Sequence, residues 1–166
     1  MERSVKPHII SCLADIAINV EGHFERYLPY VMMMLVQAST LKFDNPDEDS
    51  LLYLISLQEA ILEAYTGILQ GLAADNKVNL FLQSVDPVIG FLDSIAASAT
   101  KNPDDYDGVV KGSVGVAGDL ASRLGSKVKH QLQRPAVHTL LTLAQRSSNP
   151  ETQRAPAWTK EQLAKL

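Results

Sequence analysis

The chain repeats itself at long range, and this repeat limits its possible folds more than any other feature of its 166 residues. Leu13-Ala14-Asp15-Ile16-Ala17, then Gly22, then Tyr27-Leu28-Pro29-Tyr30-Val31, lines up with Ala117-Gly118-Asp119-Leu120-Ala121, then Gly125, then Gln133-Arg134-Pro135-Ala136-Val137. Between them lies Thr66-Gly67-Ile68-Leu69-Gln70, followed by Val85-Asp86-Pro87-Val88-Ile89, so Ile16, Ile68 and Leu120 are spaced by 52 and 52 residues. Each unit is a helix, a tight turn and a second helix that begins near a proline. Such a unit cannot bury its apolar face alone, and stacking neighbours completes each core, which is the logic of an α-solenoid. The period exceeds the usual ~40–47 residues of two-helix repeats by loops of about ten residues.

The local pattern agrees. Apolar residues recur at three and four throughout, and no alternating β-branched stretch competes, so the chain reads as all-α with about seven antiparallel helices. The spacing predicts a first helix over about 7–20, with Ile9, Ile10, Leu13, Ile16, Ala17 and Val20 on its core face and Glu21-Gly22 ending it. A second covers about 24–38, and a loop with Pro46 inside it follows. The third and longest runs over about 50–72 after a cap at Asp47 or Asp49. Its core face is Leu51, Leu54, Ile55, Ile61, Leu62, Tyr65, Ile68, Leu69 and Leu72, and its other face is Ser56, Glu59, Glu63, Thr66 and Gln70. A fourth helix spans 85–97, with an extra turn at 78–82. Asp104 to Asp107 should supply cap oxygens and first-turn carboxylates for a fifth, which Gly125 ends after Leu124. A sixth covers 135–145. The loop Ser147-Ser148-Asn149-Pro150 precedes a short seventh over 156–165. The chain is thus a single run of repeats over 1–166: 1–22 as the second helix of an incomplete repeat, then 23–73, 74–125 and a terminal 126–166.

With 46% apolar and 20% charged residues the chain can bury a real core. No apolar stretch approaches the roughly 18 residues of a membrane span, and Met1-Glu2-Arg3-Ser4 does not begin a signal peptide, so an intracellular protein without membrane insertion is expected. Cys12 has no partner for a disulfide, and its apolar setting reads as a buried small residue. Charge is uneven: residues 1–121 carry 7 Lys/Arg against 17 Asp/Glu, and residues 122–166 carry 8 against 2. Between Phe43 and Asn76 every charged residue is acidic: Asp44, Asp47, Glu48, Asp49, Glu59, Glu63 and Asp75. A field of that sign repels nucleic acid and draws cationic partners.

No pattern for chemistry emerges. Gly108, Gly112 and Gly115 lack the spacing of a phosphate loop and read as close helix packing. His8, His23, His130 and His138 have no metal-ligand spacing, and Asp104-Asp105-Tyr106-Asp107 lacks the glycine and distal glutamate of a calcium loop. No nucleophile pairs with a base, so no enzyme, metal or cofactor is expected. In Met32-Met33-Met34 one residue must face the core.

Three strings carry a resemblance. Val5-Lys6-Pro7-His8-Ile9-Ile10-Ser11-Cys12-Leu13-Ala14-Asp15-Ile16-Ala17, Leu62-Glu63-Ala64-Tyr65-Thr66-Gly67-Ile68-Leu69-Gln70-Gly71-Leu72 and Ala157-Trp158-Thr159-Lys160-Glu161-Gln162-Leu163 resemble the C-terminal HEAT repeats of the importin beta (karyopherin beta) family. The likeness covers nearly the whole chain and departs in the loops 44–50, 73–79 and 147–155. It implies a HEAT-repeat superhelix and a nuclear import receptor of cytoplasm, nucleus and nuclear pore. The implied partners are the importin-beta-binding domain of importin alpha or a basic nuclear localisation signal, with Ran and phenylalanine-glycine nucleoporins for the full-length family. It further implies that the first, third, fifth and seventh helices line the concave side and that the first lacks its repeat partner, as in a piece of a longer protein.

The residues themselves point to a cation-binding face. Glu59 and Glu63 sit four apart on one exposed stripe with no Lys or Arg near in sequence, an arrangement that costs stability until a cation arrives. Asp15 and Asp119 hold matching repeat positions and would lie along one groove, where carboxylates favour Arg and Lys through charge-assisted bonds. Trp158, the only tryptophan, is a candidate anchor under an arginine. The plainer alternatives are a solvated face for Glu59 and Glu63, capping or inter-repeat bridging for Asp15 and Asp119, and end closure for Trp158. A HEAT scaffold for another partner, of phosphatase or cytoskeletal type, is the rival function.

Overall fold

A computed structural model describes residues 5–44 and 46–166. The order is α1 (Val5–Val20), a 3-10 helix (Glu21–Arg26), α2 (Leu28–Ser39), α3 (Glu48–Ala74), a 3-10 helix (Val78–Ser84), α4 (Val85–Lys101), α5 (Asp107–Leu124), a 3-10 turn (Gly125–Val128), one-turn α6 (Lys129–Leu132), α7 (Pro135–Arg146) and α8 (Pro150–Leu163). There is no strand among the described residues.

The helix boundaries follow local chemistry. The Asp47 side chain accepts from the Ser50 amide and caps α3, as expected. Proline near the first position starts α2, α7 and α8, where its missing N–H costs nothing. This is why α2 begins at Leu28, beside Pro29, and the residues before it take the tighter 3-10 form, in place of one helix from Phe24. Gly125, at φ +60°, ends α5 in a conformation that a side chain would strain. Two expectations fail in part. Asp107 stands in the first turn of α5 as expected, but Tyr106 is the N-cap and no side chain caps it, the Asp107 carboxylate accepting instead from α8. The last helix begins at Pro150, because Asn149 accepts from the Glu151 amide and Pro150 suits the first turn, and Pro156 lies inside the helix.

The chain divides into two compact units, Met1–Leu80 and Phe81–Leu166. In the first, α1 packs along α3. An added Cβ at Gly67 would stand 2.6 Å from the Ala14 Cα, and one at Gly71 would stand 2.8 Å from the Ala17 carbonyl carbon, so only glycine permits this approach. The register ascends on both helices, Ala14 beside Gly67 and Ala17 beside Gly71, so α1 and α3 run parallel. Ile10, Ala14 and Ala17 are buried, as are Ile61, Tyr65, Ile68, Leu69 and Leu72 on α3. Ile9 and Ile16, expected in the core, are 44% and 47% exposed, since α3 covers only the neighbouring face. Cys12, expected to be buried, is exposed: it lies on the side of α1 opposite the Ile10, Ala14 and Ala17 face. Of the three methionines Met32 is buried, while Met33 and Met34 are exposed.

In the second unit α5 packs along α8 in the same parallel sense. Asp107 accepts from Thr152, Val114 accepts from Thr159, and a Cβ on Gly118 would meet Trp158 and Thr159. Gly118 is therefore the close-packed glycine of α5; Gly115, expected in that role, has nothing within 4 Å of an added Cβ. The core takes Val88, Ile89, Leu92 and Ile95 from α4, Val109, Val116 and Leu120 from α5, and Val137, Leu140 and Ala144 from α7. Within Val78–Lys101 one window reaches a mean hydropathy of 1.3, enough by length and composition to cross a membrane. That stretch is a 3-10 helix followed by α4, and its apolar residues Phe81, Val88, Ile89, Leu92 and Ile95 are buried core.

Candidate protein-binding surface

The parallel contact of α1 and α3 determines where the acidic residues of the first unit stand. Ser11 on α1 donates its hydroxyl to the Glu63 carboxylate on α3. Glu63 is thereby tied to α1 one turn before Asp15, and Glu59 lies one turn before Glu63 on the same stripe. All three acids are exposed. Among the described residues none of them forms an ion pair, whereas Glu25, Asp93, Asp119, Glu151 and Glu161 are each paired with Lys or Arg. Two adjacent helices therefore present three uncompensated carboxylates on one side, with Gln70 continuing the exposed stripe of α3.

Electrostatics reinforces this at one residue. Desolvation raises the Glu59 carboxyl above its ordinary value, although part of the side chain reaches solvent. A carboxylate short of both water and a counter-charge gains more from an arriving cation than a fully hydrated one does.

Asp119 and Trp158 belong to the second unit, and the structure gives them another character. The Asp119 carboxylate, 15% exposed, accepts from Arg123 at 3.3 Å, one turn along α5. Burial raises its pKa and Arg123 opposes the shift. It is a paired, partly buried acid rather than a free one. Trp158 lies against Gly118, the residue before Asp119, and is 44% exposed, so one part of the ring packs on α5 and another reaches solvent. The sequence-predicted residues thus form two groups: Asp15, Glu59 and Glu63 on α1 and α3, and Trp158 beside Asp119 at the contact of α8 with α5.

Two features escaped sequence reasoning. Ser11 is the hydroxyl that holds Glu63, and the 52-residue offset pointed to it, because parallel helices in repeat register set residue i beside i+52. Asp107 is the second. Its carboxylate accepts from Ser147, from Asn149 at 3.1 Å and from buried Thr152 at 2.7 Å, and so fixes the start of α8 on α5. Among the described residues no cluster of three metal-binding side chains occurs.

Comparison with known proteins agrees with this architecture. Residues 1–157 match the family model described as importin subunit beta-1-like, TPR repeats. Importin subunit beta-1 of Arabidopsis thaliana is 40% identical over 136 residues, covering 81% of this chain and 15% of the relative. A crystal structure of importin beta superposes with a TM-score of 0.87 at 29% identity, over 96% of this chain and 18% of that one. The Kap95:Nup1 complex gives 0.83 at 27% identity, over 99% and 19%. The chain therefore spans less than a fifth of the length of these proteins, and its all-α HEAT-repeat class is that of the importin beta solenoids. It belongs to the importin subunit beta-1-like family of nuclear transport receptors.

Proposed function

We propose that the chain is a segment of a nuclear import receptor whose α1–α3 side receives a basic helix: the importin-beta-binding helix of importin alpha or a basic nuclear localisation signal. One observation carries the reading. Asp15, Glu59 and Glu63 stand on one side of two parallel helices, and among the described residues no cation is paired to them. Charged side chains left unpaired on a rigid pair of helices are preorganised acceptors for Lys and Arg, at no cost in reorganisation. The second unit, taken by itself, offers Trp158, an amphipathic ring fixed against α5 and suited to stack on a guanidinium or cover an aliphatic stem. Asp119, also in the second unit, is paired with Arg123 and offers no free charge of its own.

The Kap95 complex with Nup1 supports contact with nucleoporins, and with it passage between cytoplasm and nucleus through the pore, as parts of the same proposal. Titration of an importin-beta-binding peptide under rising salt tests the central contact. Affinity that is measurable at low salt and falls as salt screens the carboxylates supports it. No affinity at low salt, or affinity indifferent to salt, overturns it.

A further inference from the structure

Each unit builds the same parallel helix pair, and the two pairs differ on the side that carries the acids. In the first unit Ala14 of α1 meets Gly67 of α3; in the second Gly118 of α5, 104 residues after Ala14, meets Thr159 of α8. One turn before these contacts stand Ser11 and Glu63 in the first unit, and Gly115 and Ala155 in the second. By the same register Glu59 matches Glu151, and Asp15 matches Asp119.

At the matched positions the second unit cancels its own charges. Glu151 is paired with Lys111 at 2.5 Å, and Asp119 with Arg123 at 3.3 Å. Between them Gly115 has nothing within 4 Å of an added Cβ, and the Ala155 side chain has no polar group. The pair α5 and α8 therefore packs closely without a cross-helix bond at this level. In the first unit the glycine contacts at Gly67 and Gly71 do the packing, so the bond that Ser11 donates to Glu63 is not needed to hold α1 on α3.

A cation and a hydroxyl orient a carboxylate with different consequences. Lys or Arg fixes it and neutralises it. A serine hydroxyl is neutral, so it fixes the carboxylate and leaves the full negative charge and the other lone pairs to a further donor. A glutamate on a helix surface otherwise samples several rotamers, and holding it still for a partner costs entropy at the moment of binding.

We infer that Ser11 is a positioning residue, which presents Glu63 as an oriented and uncancelled carboxylate to an arriving Lys or Arg. The inference rests on the binding proposal above and says how its acidic side is tuned. Glu63 is the ordered acceptor of the three. Glu59 and Asp15, whose carboxylates accept no side-chain hydrogen bond among the described residues, become ordered only when the partner arrives.

Anisotropy titration of a basic importin-beta-binding peptide at several salt concentrations tests this in the full chain, with urea midpoints verifying that each variant folds. Ser11→Ala should weaken binding about three- to tenfold, while the slope of affinity against salt stays that of the wild type because no charge has changed. Ser11→Thr keeps the hydroxyl and should restore affinity to within about twofold. In a Glu63→Ala background Ser11→Ala should have no further effect, since Ser11 acts through Glu63. The inference is overturned by equal affinity of Ser11→Ala and wild type, by failure of Ser11→Thr to restore binding, by an equal loss in the Glu63→Ala background, or by a changed salt slope. Side-chain couplings measured by nuclear magnetic resonance on the free chain separate it from the binding proposal. A wild type that fails to bind sinks that proposal alone, and the hold of Ser11 on Glu63 is then decided by the couplings. One dominant χ1 rotamer of Glu63 that becomes averaged in Ser11→Ala supports the positioning role, and averaging in both overturns it.

Discussion

Replacing Gly71 by alanine sets two opposing effects against each other, and the structure decides the sign. Alanine in a helix interior is favoured over glycine by about 1 kcal/mol, so a substitution in open space stabilises. At Gly71 the new methyl group would stand 2.8 Å from the Ala17 carbonyl carbon and closer still to its oxygen. Both atoms are backbone, so no rotamer change relieves the overlap and α1 must move off α3. Overpacking of this kind costs about 1–3 kcal/mol, and an immovable neighbour places Gly71 toward the upper end. After the helical gain, Gly71→Ala should lose about 1–2 kcal/mol. Gly90 on α4 and Gly115 on α5 provide the control, because nothing lies within 4 Å of an added Cβ at either position. Alanine there should gain about 0.5–1 kcal/mol. Urea midpoints followed by circular dichroism separate the signs; in a thermal scan each kcal/mol moves the midpoint by roughly 2–4 °C in a chain of this size. If Gly71→Ala matches or exceeds the wild type, the close parallel contact of α1 and α3 is wrong, and the placement of Glu63 beside α1 is wrong with it.

Other perturbations have definite outcomes. Asp107→Ala leaves the buried Thr152 hydroxyl without its acceptor and should cost about 1–3 kcal/mol, with faster hydrogen exchange concentrated in the first turns of α8; uniform exchange would refute the clamp. Burial raises the Glu59 pKa, so the folded state holds that proton more tightly than the unfolded one. The penalty is absent below the ordinary glutamate value of about 4.3, grows as pH rises through it toward the raised value, and is constant above. Glu59→Gln should therefore stabilise only on the high-pH side, and an equal difference at pH of about 3.5 and about 7 contradicts this. Cys12 is exposed, so an aromatic disulfide reagent should titrate one thiol in the native chain at a rate close to that in urea; protection in the native state would contradict its placement.

Much of the fold was legible because helix periodicity and repeat spacing are properties of the string itself. The cap at Asp47, the stop at Gly125 and the proline start of α7 could be read residue by residue, whereas the proline start of α2 could not be told from a helix beginning at Phe24. What failed shares a physical cause: an apolar residue shows that a face can be buried, not that a neighbour is present to bury it. Periodicity places Ile9 and Ile16 inside and its apolar setting places Cys12 there, yet α3 covers only the Ile10, Ala14 and Ala17 side. Asn149 and Pro150 read as loop, although together they are a cap and a first turn, and Pro156 then misplaced the start of α8. At the candidate site, Glu59 and Glu63 were visible as an unbalanced stripe. The pairing of Asp119 with Arg123 was visible only as a four-residue spacing whose geometry the sequence does not state.

Charge reversal on the α1–α3 side bears on the binding proposal without disturbing the core, since Glu59 and Glu63 are exposed. Affinity of the full chain for a basic importin-beta-binding peptide should fall by at least about tenfold in Glu59→Lys/Glu63→Lys, equivalent to roughly 1.4 kcal/mol, with the salt dependence largely abolished. Undiminished affinity in that variant, with its salt dependence intact, would mean that cationic partners dock on loops or ridges elsewhere.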